Sequence, residues 1–345
     1  MKKHLALLLA LTMTVGAALT GCGGSTSSSA AASSEAGSSE ASSAAAPASA
    51  ETLVLGTGGT TGTYYAVGGV MQSVLNPKLT LSQLNVTSTG ASKANILDVD
   101  DGVSQLATVQ NDVMYYAANG TDLFESDGKF DTFSTVACLY AETCQIIASA
   151  DSGIKTVADL KGKTVSVGDA GSGVEFNATQ ILAAYGIDIN SDIKKVNASF
   201  GDSADSIKDG KIDAAFVVAG APTVAITDLS TGKDVHLVSI DKEHADALIA
   251  KCPYYMTITI PADTYKGLDG DVQTVAVGAV VLAADNVSDD AIYAFVSDIF
   301  EHTDELSHAK AKEMSLETAA NITSVPYHPG AARYYAEKGI TVPTK

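Results

Sequence analysis

Apolar runs of strand length alternate with stretches whose apolar residues recur at helical spacing along most of this chain. ETLVLGT, beginning at Glu51, reads as a strand, and Gly62 to Leu75 as a helix with Val67, Met71, Val74 and Leu75 on one face. LSQLNVTST and QLATVQ read as further strands, followed by helices over Ser92 to Asp101 and Asp112 to Ala118. FSTVACLYAETCQIIAS, from Phe133, is one long extended stretch with no helix directly after it, which predicts a crossing between two lobes. A second series runs through TVADLKGKTVSVG, a helix over Val174 to Tyr185, IKKVNAS, a helix over Ser203 to Lys208 and IDAAFVVAG. Pro222 is placed in the first turn of the next helix. VHLVSI and a helix over Lys242 to Ala250 follow, and YYMTITIPADTY, from Tyr254, reads as the return crossing. TVAVGAVVLAA, from Thr274, suits a buried strand, and helices over Asp289 to about Ala320 and Pro329 to Lys338 complete the chain. The pattern predicts an α/β protein with mostly parallel strands and short connections.

The first 50 residues follow a different pattern. Lys2 and Lys3 precede an apolar run, Leu5 to Ala18, that has the length and flanks of a signal peptide rather than of a membrane span. It ends in Leu19-Thr20-Gly21-Cys22, which is similar to a lipobox, so residues 1–21 are expected to be removed and Cys22 to carry lipid. Residues 22–50 are almost all Ser, Ala, Gly and Thr, too polar to offset their ordering entropy. They predict a flexible tether with an end-to-end reach of about 30 Å. The expected location is extracytoplasmic, on the outer face of the cytoplasmic membrane.

Composition narrows the function. The formal charge of −19 becomes two units more negative once Lys2 and Lys3 are removed, which argues against nucleic acid as a partner. Cys138, Cys144 and Cys252 remain beside Cys22, an odd number that makes a poor disulfide framework. Gly56, Gly58 and Gly62 are spaced one residue too wide for the dinucleotide fingerprint, and Thr87 to Thr89 stand where an acidic residue should close the second strand. Gly162-Lys163-Thr164 has Val157 where a P-loop needs glycine, and Ser172 lacks the G-x-S-x-G context of a nucleophile elbow. Glu305 and His308 have no second carboxylate–histidine set to match them. No catalytic residue, metal or cofactor is expected.

Three turns of one kind remain. GTGGTTG, STGAS and GDAGSG each carry Gly, Ser and Thr from a strand end into a helix start. Open α/β sheets bind ligands at that edge, where helix N-termini offer unpaired N–H groups and partial positive charge. Singly, each turn is explained by helix capping. Together, two in the first series and one in the second, they predict a cleft for an oxygen-rich ligand held from both sides.

The set of stretches GTGGTTGTYYAVGG, STGASKAN, ATVQNDV, LYAE, IKTVADLKGKTVSVGDAGSGVE, DGKIDAAFVVAGAP, YYMTITIPADTY and YHPGAARYYAEKG resembles, in order over residues 52–340, the TAXI family of extracytoplasmic solute receptors. These serve tripartite ATP-independent periplasmic (TRAP) transporters. The resemblance implies a type II periplasmic-binding-protein fold, with lobe 1 over residues 51–142, lobe 2 over 143–255 and a return to lobe 1 with C-terminal helices over 256–345. It implies a monomer that captures a small organic anion or amino acid, glutamate-like or a 2-oxo or dicarboxylic acid, and delivers it to an ion-gradient-driven permease. The ligand residues it implies are Gly59, Thr60, Thr61, Tyr64, Ser92, Asn95, Gln110, Asp112, Glu142, Ser172, Gly173 and Ala221. The chain departs from the family at Ala91, Lys93 and Ala94, where T-G-G-S-x-E-N is usual; Lys93 either faces the cleft or lies along the helix surface. The alternatives are a binding lipoprotein of an ATP-driven (ABC) importer, a ligand-presenting subunit of a sensor, and an enzyme on the same fold.

Overall fold

The structure, a computed structural model, describes residues 50–345. Cys22, the signal-like segment and the Ser/Ala stretch lie outside the described residues. The chain opens with β1 (Glu51–Gly56), α1 (Thr63–Leu75), β2 (Ser82–Thr87), α2 (Ser92–Asp100), β3 (Leu106–Gln110) and α3 (Asn111–Asn119). The long strand β4 (Phe133–Ser149) leads into β5 (Thr164–Ser166), α4 (Gly173–Ala184), β6 (Lys194–Val196), α5 (Phe200–Lys208) and β7 (Ala214–Ala219). Next come α6 (Val224–Gly232), β8 (Val235–Leu237), α7 (Lys242–Lys251), β9 (Met256–Ile260) and β10 (Val272–Ala284). Helices α8 (Asp289–Glu301), α9 (Leu316–Ala319) and α10 (Pro329–Glu337) finish the chain.

All ten strands join in one sheet, whose main path runs β2-β1-β3-β10-β4-β7-β5-β6. β1 is parallel to β2 and β3, and β5 is parallel to β6 and β7. Between these parallel halves lie β4 and β10, antiparallel to each other from Ala276–Thr143 to Ala284–Phe133. Both are buried along nearly their whole length, covered on both faces, and mostly apolar. Their outer partners change along their length. The carboxyl half of β10 pairs with β3, while the carboxyl half of β4 pairs with β7 and β8.

The apolar cores divide at the same place. One core gathers β1 to β3, α1 to α3, β4 up to Tyr140, and β10 from Ala279. Two others cover the faces of the second half, with Cys144, Ile146, Val165, Ile181 and Phe216 on one side and Ile147, Ala215, Ile226 and Leu229 on the other. The molecule is therefore two-lobed, with β4 and β10 as the crossings. This corrects the reading of YYMTITIPADTY as the return. β9 forms a hairpin with β10, and Ile260, Tyr265 and Val272 pack in the second lobe. Pro222 also differs from expectation. It follows a cis Ala221–Pro222 bond, and the helix starts only after Thr223. The three cysteines Cys138, Cys144 and Cys252 are free.

Candidate functional site

A cleft between the lobes holds about 560 Å³ not filled by protein atoms, counting the part open to solvent. The N-caps or first residues of five helices line it: Gly62 and Thr63 of α1, Ala91 and Ser92 of α2, Gln110 before α3, Ser172 and Gly173 of α4, and Ser199 and Phe200 of α5. The first N–H groups of each helix have no partner inside it and carry partial positive charge. The lining includes no Lys, Arg or His.

The lobes touch directly around the cleft. Thr63 Oγ1 donates to Gly220 O at 2.7 Å, and Ala225 N donates to Thr61 O at 3.3 Å. Gly173 passes so close to the Gln110 side chain that a Cβ there would overlap it. On the floor, Glu142 sits mid-β4 and is 1% exposed. Its Oε1 accepts from Gly220 N at 3.0 Å. Burial lifts its carboxyl to about 8, against the opposing pull of Lys310 and the Gly220 N–H. Tyr64 also lines the cleft, and its buried hydroxyl has no hydrogen-bond partner. Burial and the neighbouring Glu142 hold that hydroxyl firmly protonated.

Behind the cleft a second polar cluster joins the lobes. Gln110 Nε2 donates to Asn177 Oδ1, and Asn177 Nδ2 donates to Asp112 Oδ2 at 2.9 Å and to the Tyr255 hydroxyl at 2.6 Å. Tyr255 in turn donates to Gln180 Oε1 at 2.7 Å. Burial lifts Asp112 to about 6, opposed by the hydrogen bond from Asn177.

Of the residues expected at the ligand, Gly59, Tyr64, Ser92, Gln110, Glu142, Ser172 and Gly173 meet in the cleft lining. Thr60, Thr61, Asn95, Asp112 and Ala221 do not. Asn95 is fully buried: its Nδ2 donates to Thr57 O at 2.6 Å and Thr108 O at 2.8 Å, and its Oδ1 accepts from Thr89 at 2.5 Å. It holds strand ends to the turn and has no group left for a solute. Asp112 belongs to the cluster behind the cleft. Lys93 lies outside the lining: its ammonium meets Leu123 O, Asp127 and the Phe124 ring.

Asp169, Ser199 and Phe200 line the cleft without having been expected. Ser199 and Phe200 make a fourth strand-to-helix turn, hidden by placing the start of α5 at Ser203. Its signal was present: Ser199 Oγ accepts from Asp202 N, a capping arrangement that Ser-x-x-Asp announces. Ala91, one of the residues departing from the resemblance, adopts φ 65°, a conformation costly for any residue with a Cβ.

A family model described as the NMT1-like family matches residues 55–339. The chain belongs to the NMT1-like family. Its fold is similar to that of the alkanesulfonate-binding protein SsuA from Xanthomonas axonopodis pv. citri, at 15% identity and TM-score 0.50, over 84% of this chain and 85% of that one. It is also similar to PhnD1 from Prochlorococcus marinus, solved with methylphosphonate, at 10% identity and TM-score 0.49, over 76% and 88% of the two chains. A binding protein component of an ABC phosphonate transporter from Pseudomonas aeruginosa matches at 15% identity and TM-score 0.46, over 77% and 78%. The two-lobed α/β architecture is thus that of periplasmic substrate-binding proteins, as the sequence led us to expect. The closer resemblance to TAXI receptors of TRAP transporters is corrected: the matching family is the NMT1-like one, and the fold is similar to that of an alkanesulfonate-binding protein. Glycine- and hydroxyl-rich turns cap helices and accept anions wherever a strand end meets a helix start, so by themselves they do not separate families of α/β proteins.

Proposed function

We propose that this member of the NMT1-like family is an extracytoplasmic solute receptor, anchored through lipid on Cys22, that captures a small organic anion and presents it to a membrane importer. With the TRAP reading withdrawn, the partner proposed is the permease of an ABC importer. The carrying observation is the convergence of five helix N-termini from both lobes on one cleft. Together they offer an anion many N–H donors without a mobile cationic side chain. The solute is a carboxylate, sulfonate or phosphonate of few carbons, and it leaves the protein chemically unchanged.

A thermal-shift series with 2-oxoglutarate, L-glutamate, methanesulfonate and methylphosphonate tests the reading. At 100 times its dissociation constant a ligand adds about 2.7 kcal/mol of stability. If no anion raises the melting temperature and none co-purifies by mass spectrometry, the receptor reading fails. Replacing Cys22 by Ala should release the protein from the membrane fraction or block its processing; unchanged retention would place the anchor elsewhere. Closure about β4 and β10 should lower the radius of gyration in small-angle scattering when ligand is added.

A further inference from the structure

A cleft that attracts anions by helix termini should not keep a carboxylate on its floor, yet Glu142 is there. It is buried, lies on a crossing strand and is tied to the second lobe by one N–H. Resting on the anion reading above, we propose that Glu142 meets the solute as a neutral carboxylic acid, donating its proton to an oxygen of the anion beside the Tyr64 hydroxyl. Binding to protein whose Glu142 is ionised therefore takes up one proton from solvent onto a carboxylate oxygen.

The surroundings support this assignment. Among the described residues, Glu142 has a single hydrogen-bond partner, Gly220 N, on Oε1, which leaves Oε2 for the occupant of the cleft. Tyr64, on α1, presents a second buried donor that no protein group accepts from. The charged and titratable groups around Glu142 are few. Lys310 is 3% exposed, and its ammonium is already held by Glu313 at 2.6 Å, so the cation nearest Glu142 is shared with another carboxylate. Tyr140, Cys138 and Cys144 on the same strand are buried and neutral at pH 7. Asp112 adds negative charge from α3 at the side of Tyr64. Lys310 and the Gly220 N–H favour an ionised Glu142, but burial outweighs them, and a bound anion would add an opposing charge. In the free protein, burial already favours the acid form, with the carboxyl at about 8. Two neutral donors and five helix N-termini then form one donor set, and a neutral Glu142 leaves Asp169 as the one carboxylate of the lining beside the bound charge.

The test uses the mature protein with 2-oxoglutarate and methanesulfonate as probes, neither of which titrates between pH 6.5 and 9.5. Affinity by calorimetry should be flat up to about pH 7.5 and fall roughly tenfold per pH unit above 8, the slope of one linked proton. Calorimetry at pH 8.5 in buffers of different ionisation enthalpy should show proton uptake. Glu142→Gln keeps a donor and removes the proton, so it should bind at every pH within a few-fold of the wild type at pH 7. Affinity independent of pH would overturn the proposal. So would affinity that rises through pH 8 and is lost in Glu142→Gln, which is the signature of an ionised carboxylate holding a cationic group. If neither probe binds, the anion reading fails on its own test. The ¹³C resonance of the Glu142 carboxyl, assigned by its absence from Glu142→Gln, still decides: a midpoint near 8 supports the acid form, and one below 6 overturns it.

Discussion

Two buried polar clusters lie side by side between the lobes, and they are built differently. Behind the cleft, Gln110, Asn177, Gln180 and Tyr255 direct their hydrogen bonds at one another across the lobe boundary. On the cleft floor, Tyr64 has no partner and Glu142 has one. An unpaired buried polar group costs free energy, whereas a paired network specifies one arrangement. The rear cluster accordingly sets how the lobes meet, and the floor keeps its donors for a molecule that is not protein.

The contrast can be broken most severely at Asn177. Asn177→Ala leaves Gln110, Asp112 and Tyr255 each short of a partner, and should cost about 3 kcal/mol or more by chemical denaturation. A loss under about 1 kcal/mol would mean that the rear cluster does not hold the lobes together.

Asp112 tests the same cluster through pH. Burial raises its folded pKa from 3.8 to about 6, so the folded state favours the acid form. That contribution is fully present below the unfolded value and is lost as pH rises through about 6. Asp112→Asn should therefore match the wild type near pH 3 and gain on it between pH 4 and 6. Above that it should stay ahead by on the order of 2–3 kcal/mol. A variant less stable than wild type at pH 8 would show that the ionised carboxylate has partners enough.

The floor should respond in binding rather than in folding. Tyr64→Phe removes a hydroxyl that nothing in the protein uses, so the melting temperature should hold or rise slightly. Affinity for the anion should drop by about 1.5–3 kcal/mol, roughly ten- to a hundredfold. A lower melting temperature with unchanged affinity would move Tyr64 from the floor into the structural set. The smallest effect is expected at the rim, where Ala91 holds φ 65°. Ala91→Gly relieves that strain and should stabilise the protein by about 1 kcal/mol, with affinity within a few-fold.

Local signals were enough for most elements. The run from Phe133 to Ser149 is rich in apolar and β-branched residues and free of Gly and Pro, so its full extent as a strand was legible. The alternation of strands and helices, and the turns leading into α1, α2 and α4, were legible for the same reason: capping and periodicity act within a few residues. Which of those turn residues face a solute was not. Asn95 and Ser172 both sit at helix starts after a strand, yet Asn95 is consumed by Thr57, Thr89 and Thr108 while Ser172 lines the cleft. The difference depends on which groups the folded strand ends bring up: the carbonyls of Thr57 and Thr108 and the Thr89 hydroxyl surround Asn95. Likewise β10, not β9, became the second crossing, because only β10 is long enough to pair with β3 at one end and β9 at the other. The sequence alone determined a two-series α/β chain with hydroxyl-rich helix starts. Only the tertiary structure decided that Glu142, Tyr64 and five helix N-termini share one cleft, since residues as far apart in sequence as Gly58 and Ala219 meet there through sheet pairing that no local pattern encodes.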